Sequence, residues 1–314
     1  MTKILTKALL TISLIAAMVL PIDSHASSSI EKVANTLGLE ICVENRISLY
    51  NQNDKEVAYF YPGINNGYLI VDADTLKPIE FSHENSLDFF NDTERKYYYG
   101  GPLNYFYEQD GNIISKTGVT VEKQELNFEN KAKSFTISNF EEMNKTRSSN
   151  IRISHVPRNY SYNPNGICGS TAAAILLMYY DDYVNDSYVA SGYEVSGTGE
   201  KLIKMLVPYI DGSTPGSTAS DMVSGLNKYL GSRGLSKSAK LLSKTDIATP
   251  FSSNKPVLID LDKHPTYKEH WVVGYGYNRY KEGTTTFRMY IVVNGWGNTG
   301  VYIDEDYCGR GVRI

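Results

Sequence analysis

Residues 162–180 decide the fold of this chain, and they read Tyr-Asn-Pro-Asn-Gly-Ile-Cys-Gly-Ser-Thr-Ala-Ala-Ala-Ile-Leu-Leu-Met-Tyr-Tyr. The Asn, Pro and Gly residues at the start predict a turn-rich loop, and the small and apolar residues that follow predict a buried helix. Cys168 therefore lies where the loop becomes the helix. Unpaired N–H groups and the positive end of the helix dipole favour a thiolate there, which points to a nucleophile. The alternative is a small core residue, because free Cys is among the most buried residue types.

Two segments far downstream offer the partners that a cysteine nucleophile needs. His270 opens the strand-like run 269–277, and Asn294 ends the strand-like run 290–294. Cys, His and Asn in this chain order match a nucleophile, its base and the group that orients the base. His155 and His264 are alternatives for the base, but His264 lies in a turn-like context and His155 lies close to a predicted processing site.

These three blocks resemble those of papain-like cysteine peptidases, and most closely those of the bacterial streptopain and staphopain type. The resemblance implies that Cys168 is the nucleophile and His270 the general base and acid. It also implies that Asn294 holds the imidazole and that Trp296 shields the hydrogen bond between them from water. The fold it implies is a papain-like α+β domain, with a helical part carrying the cysteine and an antiparallel sheet carrying His270 and Asn294.

One residue of the papain-like pattern is missing. That family has a Gln six positions before the nucleophile to help hold the oxyanion, whereas this chain has Tyr162 there and no Gln between Ile151 and Ile314. An Asn side chain offers the same N–H donor, so Asn163 is the predicted oxyanion residue, with Asn165 as the other nearby amide.

The N-terminus carries the pattern of a secretory signal peptide over residues 1–26. Lys3 and Lys7 precede an apolar run from Ala8 to Leu20, and residues 24–26 form a small-x-small cleavage site. The apolar run is short for a spanning helix, although an uncleaved anchor is the alternative. We therefore expect an extracellular protein that has no membrane association once the signal peptide is removed.

The next segment, residues 27–142, is predicted to be a small α+β pro-domain. Helix-like spacing covers 29–39, and strand patterns cover 57–61, 67–71 and 78–81 with turn residues between them. The run 67–79 resembles the propeptide of streptopain-like enzymes, in which a strand pair leads into a segment that blocks the active site. Residues 143–150 are polar and without periodicity, as in a linker that is cut during maturation, and we predict cleavage within 143–158.

Residues 151–314 are predicted to form the catalytic domain. Helices are expected at 168–183, 200–210 and 220–230, and strands at 257–261, 271–277, 287–293 and 301–303. Helices first and an antiparallel sheet second indicate an α+β arrangement, in which the nucleophile's helix packs against the sheet.

Charge divides the chain unevenly. Residues 27–150 hold 12 Lys and Arg against 19 Asp and Glu, and residues 151–314 hold 17 against 15. An acidic segment covering a mildly basic one fits an intramolecular inhibitor, although ordinary variation of surface charge is an equal alternative. No basic cluster suggests nucleic acid as a partner.

Three cysteines imply no disulfide framework, and Cys42 and Cys308 are interpreted as buried free thiols. No cofactor is predicted. The Asp181–Asp182 pair has too few neighbouring oxygen ligands to predict a metal site.

The sequence therefore predicts a secreted cysteine endopeptidase made as a zymogen. Its partners would be a protein or peptide substrate and its own pro-domain as an intramolecular inhibitor. Two alternatives stay open. One is another Cys-dependent acyl transferase or amidase, of the cell-wall or transglutaminase-like kind, and the other is a non-catalytic secreted binding protein on a papain-like scaffold.

Overall fold

The computed structural model describes residues 24–126, 128, 150–164, 166–212, 216–264, 268–282 and 285–314. Most of the predicted signal peptide and most of the predicted linker lie outside these residues, and so does Asn165.

The described residues contain four α-helices. They are α1 (Ser24–Leu37), α2 (Cys168–Tyr183), α3 (Glu200–Ile210) and α4 (Ala219–Ser232). The three helices predicted after residue 168 are confirmed within two residues at each end, and α1 begins five residues before its predicted start. None of the helices in the described ranges is long and apolar enough to cross a membrane.

Fifteen strands are present among the described residues. In the N-terminal half they are β1 (Ile47–Tyr50), β2 (Glu56–Pro62), β3 (Tyr68–Asp72), β4 (Pro78–Ser82), β5 (Tyr97–Tyr99), β6 (Tyr105–Gln109), β7 (Asn112–Ser115) and β8 (Thr120–Val121). In the C-terminal half they are β9 (Asn150–Arg152), β10 (Lys240–Leu242), β11 (Val257–His264), β12 (Lys268–Glu282), β13 (Thr285–Val293), β14 (Val301–Asp304) and β15 (Cys308–Arg313). The predicted strands are confirmed, and the α+β class with them.

All of these strands belong to one sheet. Its order is β10-β15-β11-β12-β13-β14-β4-β3-β2-β1-β5-β6-β7-β8, and β9 pairs with β12. The two halves of the chain meet where β4 pairs antiparallel with β14, with Phe81 opposite Tyr302. Their rings stack with centroids 4.3 Å apart. The side chain of Asn85 also donates a 2.6 Å hydrogen bond to the carbonyl oxygen of Thr299.

Hydrophobic side chains from both halves share one cluster on one side of this sheet. Ile30, Val33 and Leu37 of α1 pack in it together with Phe287 and Met289 of β13. The N-terminal and C-terminal halves are thus joined by a common sheet and by this common cluster. Burial of this kind is the dominant favourable term in folding, so the N-terminal half contributes to the stability of the C-terminal half in the full chain.

A buried ion cluster crosses the same junction. The Lys77 ammonium, at the head of β4, lies 2.6 Å from Asp304 Oδ2 and 2.9 Å from Asp306 Oδ2. Burial raises the pKa of Asp304 to about 6, although the charge of Lys77 acts in the opposite direction.

Candidate active site

Cys168 is the first residue of α2, at the predicted change from loop to helix. The preceding loop is tied to the first turn of the helix by Thr171, whose hydroxyl lies 2.9 Å from the carbonyl oxygen of Tyr162 and 3.1 Å from that of Ile167. Gly166 takes a positive φ of 79°, which an L side chain rarely adopts. These contacts fix where the thiol stands relative to the loop.

The thiol is buried in the full chain, with 2% of Cys168 exposed. Burial raises the pKa of Cys168 to about 12, and the charge of Asp211 acts in the same direction. The backbone N–H groups of Trp271, Gly169 and Cys168 itself are directed at the sulfur and lower its pKa. The N–H groups at the helix start act on the thiol in the direction expected from the sequence, but desolvation outweighs them in the full chain.

His270 lies in β12 opposite Leu261 of β11. It is buried, and its ring stacks on Trp296 with centroids 4.3 Å apart and planes 10° apart. The next residue, Trp271, donates from Nε1 to the carbonyl oxygen of Ser217 at 2.7 Å. Since the backbone N–H of Trp271 points at the Cys168 sulfur, β12 brings the histidine's neighbour directly against the nucleophile.

Asn294 directly follows β13 and is buried. Its Oδ1 accepts hydrogen bonds from the backbone N–H groups of Trp296 at 2.9 Å and Asn298 at 3.1 Å. Gly295 and Gly297 take positive φ angles of 77° and 90°, which allow the tight loop. The Asn294 side chain thus holds the loop that places Trp296 against His270.

Asn163 lies beside this loop. A Cβ built on Gly295 would come 3.5 Å from Asn163 Nδ2. That nitrogen is buried and has no hydrogen-bond partner among the described residues. A buried donor without a partner is costly, and such groups are often reserved for catalysis or ligand binding.

The structure thus brings the predicted residues to one region, where the N-terminus of α2 meets β12 and the loop after β13. His155 lies elsewhere, because its ring stacks on Tyr183 with centroids 4.1 Å apart. Tyr183 is the last residue of α2 and Cys168 the first, and a 16-residue helix is about 24 Å long. His155 is therefore too far from Cys168 to be its base. His264, the last residue of β11, pairs with Lys268 of β12.

Two residues of this region are missing from the sequence prediction. Asp211 follows α3 and contacts the first turn of α2, where its Oδ2 accepts a 3.0 Å hydrogen bond from the backbone N–H of Ser170. Lys116 follows β7, and its ammonium lies 5.2 Å from the ring centroid of Trp296. Neither has a local sequence signal, because each contact joins segments far apart in the chain.

Lys116 belongs to a part of the N-terminal half that covers Trp296. The cavity between them is lined on the N-terminal side by residues 103–106 and 115–117. Burial lowers the pKa of Lys116, and the charge of Glu80 acts in the opposite direction. The N-terminal half therefore places the half-buried Lys116 ammonium on the ring that stacks on His270.

A group of carboxylates away from this region could hold a cation by distance alone. Asp181, Asp186 and Glu194 have carboxylate oxygens within 4.8 Å of one another, and two of the three residues are exposed. The Asp181 carboxylate already accepts a 2.8 Å hydrogen bond from the backbone N–H of Val189. Exposed acidic groups at such distances are common, so this group gives no reason to assign a metal.

A model of the Peptidase_C39 like family matches residues 150–306, which is half of the chain. The chain belongs to the Peptidase_C39 like family. The protein is thus a cysteine peptidase by family, and the matched range of this Peptidase_C39 like chain contains Cys168, His270 and Asn294.

Several solved structures match the Peptidase_C39 like chain. One of them is a fragment of prointerpain A from Prevotella intermedia, to which the chain is similar with 12% sequence identity and a TM-score of 0.42. The similarity covers 84% of this chain and 97% of that one. No curated protein matches the sequence.

Proposed function

We propose that the protein is a secreted cysteine endopeptidase of the papain-like streptopain and staphopain type, made as a zymogen. The observation that carries the proposal is the meeting of three elements inside the range matched by the family. Cys168 opens α2, Trp271 directs its N–H at the sulfur, and the Asn294 loop holds Trp296 on His270. A merely structural cysteine would need neither an imidazole stacked on Trp296 nor the buried Asn163 amide that has no partner among the described residues.

The reaction follows from these positions. His270 takes the proton of Cys168, and the thiolate attacks the carbonyl carbon of the peptide. The backbone N–H of Cys168 and the Asn163 amide donate to the oxyanion that forms. His270 then gives its proton to the leaving amine and later activates the water that hydrolyses the acyl-enzyme. Asn294 would orient the imidazole through these steps by holding Trp296 against its ring.

Replacement of Asn163 by alanine should lower kcat for a peptide substrate by about a hundredfold and change KM little, because one oxyanion donor is lost only in the transition state. Steady-state hydrolysis of a fluorogenic peptide measures this. Asn159→Ala is the matched control, since its amide lies on the same loop but donates to the carbonyl oxygen of Gly297 at 3.1 Å. Equal losses in the two variants would show that the amide of Asn163 only supports the loop.

The N-terminal half would act as the intramolecular inhibitor. Three contacts support this role: the strand pairing of β4 with β14, the ion cluster of Lys77, and the position of Lys116 on Trp296. Lys116 covers the Trp296 ring that stacks on His270, so a peptide approaching from that side meets the N-terminal half. Cleavage in the linker would be the first step in uncovering the site.

The decisive experiment follows the intact mass of the full-length protein over time in mild reductant. We expect the wild-type chain to be cut between residues 143 and 158, and the Cys168→Ala variant to stay whole. Cys308→Ala is the matched control, because Cys308 is a second buried thiol, separated from His270 by strand β11, and its loss should leave processing unchanged. Secretion is tested separately by the N-terminal sequence of protein from the culture medium, expected near Ser27.

The proposal fails if wild type and Cys168→Ala both stay whole and neither hydrolyses a panel of peptides. Clearing of a peptidoglycan suspension would then identify a cell-wall amidase, and incorporation of a labelled amine would identify a transglutaminase-like enzyme. If Cys168 also reacts with iodoacetamide no faster than Cys308, the protein is a binding protein.

A further inference from the structure

Asp211 caps the helix of the nucleophile from a distant segment. Its Oδ2 accepts a 3.0 Å hydrogen bond from the backbone N–H of Ser170 and a second one from the Ser170 hydroxyl. The residue at the N-cap of α2 is Ile167, which has no side chain that could accept. Unpaired N–H groups at a helix start need an acceptor, and here Asp211 supplies it.

The carboxylate also lies against the residue next to the nucleophile. A Cβ built on Gly169 would come 2.8 Å from Asp211 Oδ1 and 2.0 Å from Ser217 Oγ. Only glycine fits at position 169, so no side chain separates the carboxylate from the backbone that follows Cys168. The close approach is therefore built into the sequence of the first turn.

The segment that connects α3 to α4 also contacts β12. Asp211 is the first residue of this segment, and Ser217 lies near its end. The Ser217 carbonyl oxygen accepts the Trp271 Nε1–H at 2.7 Å, and the backbone N–H of Trp271 points at the Cys168 sulfur. One connection thus contacts both the first turn of α2 and the residue beside His270.

We propose that Asp211 is a positioning residue for the nucleophile: it anchors the first turn of α2 through Ser170 and keeps a negative charge beside Cys168. The proposal rests on the function proposed above for Cys168. A nearby negative charge disfavours a thiolate, so Asp211 adds to the effect of burial in keeping the sulfur a thiol. The charge of Asp211 raises the pKa of Cys168, and burial is the larger cause that raises it.

Among the described residues, Asp221 and Lys228 of α4 line the same surface cavity as Asp211, and His270 stands one residue before Trp271, whose backbone N–H is directed at the Cys168 sulfur. The Asp221 carboxylate is already engaged, since it accepts hydrogen bonds from the backbone N–H and the hydroxyl of Thr218 at 3.0 and 2.7 Å. Asp221 therefore offers a matched control, a carboxylate in the same cavity that caps a different helix.

The test is the rate of Cys168 alkylation by iodoacetamide against pH in the full-length protein, followed by mass spectrometry of the Cys168 peptide. Asp211→Asn keeps an oxygen that can accept both bonds from Ser170 but removes the charge. We expect the midpoint of its profile to fall by about one pH unit or more, which is about a tenfold faster alkylation at a pH below both midpoints. Asp221→Asn should follow the wild-type profile.

A midpoint in Asp211→Asn that matches wild type would overturn the proposal, because a purely structural cap would not move it. Asp211→Ser, which also lacks the charge, should shift the profile in the same direction, so a folding defect in one variant leaves the test decisive. The readout does not depend on peptidase activity. If the midpoint shifts while no variant cleaves peptides, Asp211 has the proposed role and the proposed function fails.

Discussion

Replacement of His270 by alanine should lower kcat/KM for a peptide substrate by about a thousandfold or more. His270 is the group that would take the proton of Cys168 and return it to the leaving amine, and general acid–base catalysis of this kind contributes about 10²- to 10⁴-fold. Steady-state hydrolysis of a fluorogenic peptide gives the ratio, with both chains first cut in the linker by wild-type enzyme because His270→Ala would not process itself.

His155→Ala is the control for this measurement. Its ring is exposed and stacks on Tyr183 at the opposite end of α2 from Cys168, so activity should change less than twofold, in line with surface substitutions away from a site. Thermal unfolding of the two variants shows whether each is folded. If His270→Ala keeps more than a tenth of the wild-type kcat/KM while folded, His270 is not the base.

The sequence predicts the members of the candidate site because each stands at the boundary of an element. Cys168 follows a loop of Asn, Pro and Gly, His270 opens a strand-like run, and Asn294 ends another. Such boundaries leave local signals of periodicity and turn residues. The contacts between these residues could not be predicted from the sequence. The stack of Trp296 on His270 and the position of Asn163 next to Gly295 depend on how loops from different segments pack.

Asp211 and Lys116 show why other parts of the site could not be predicted. Asp211 contacts Ser170, which lies 41 positions earlier in the chain, and no pattern around either residue predicts the contact. Lys116 follows a short strand of the N-terminal half, and its sequence context is that of an ordinary surface turn. The raised pKa of Cys168 is missed for the same reason. It arises mainly from desolvation by surrounding segments, whereas the helix N-terminus is visible in the sequence.

The fold, too, has parts that the sequence predicts and parts that it does not. Strands β2, β3 and β4 are recognisable from local composition and turns, and the structure confirms them. The pairing of β4 with β14 is not recognisable, because any strand edge offers the same row of N–H and C=O groups to a partner. The sheet that the two halves share depends on that one long-range pairing.

Lys77→Ala should lower the free energy of unfolding of the full chain by about 3–5 kcal/mol, which is the cost of leaving a buried charge without its partner. Lys77 bridges Asp304 and Asp306 from the other half of the chain, and Asp304 is fully buried. Urea unfolding in a Cys168→Ala background, which prevents self-cleavage, measures the change. Lys55→Ala is the control, because Lys55 and Asp74 are 65% and 64% exposed at 3.5 Å, and such pairs contribute about 1 kcal/mol at most.

The loss of unfolding free energy in Lys77→Ala should also depend on pH. The folded-state pKa of Asp304 is raised from 3.8 to about 6, so its ionised form costs stability, and that cost grows as the pH rises above 3.8 and is complete above pH 6. Below pH 6 the carboxyl takes up a proton in wild type and variant alike, and the difference between their unfolding free energies should shrink.

Lys77→Met keeps the alkyl chain and removes the charge, so it should lose nearly as much stability as Lys77→Ala at about pH 7.5. A Met variant as stable as wild type would mean that the ion cluster adds nothing to the junction, and that the β4–β14 pairing and the shared hydrophobic cluster hold the two halves together on their own.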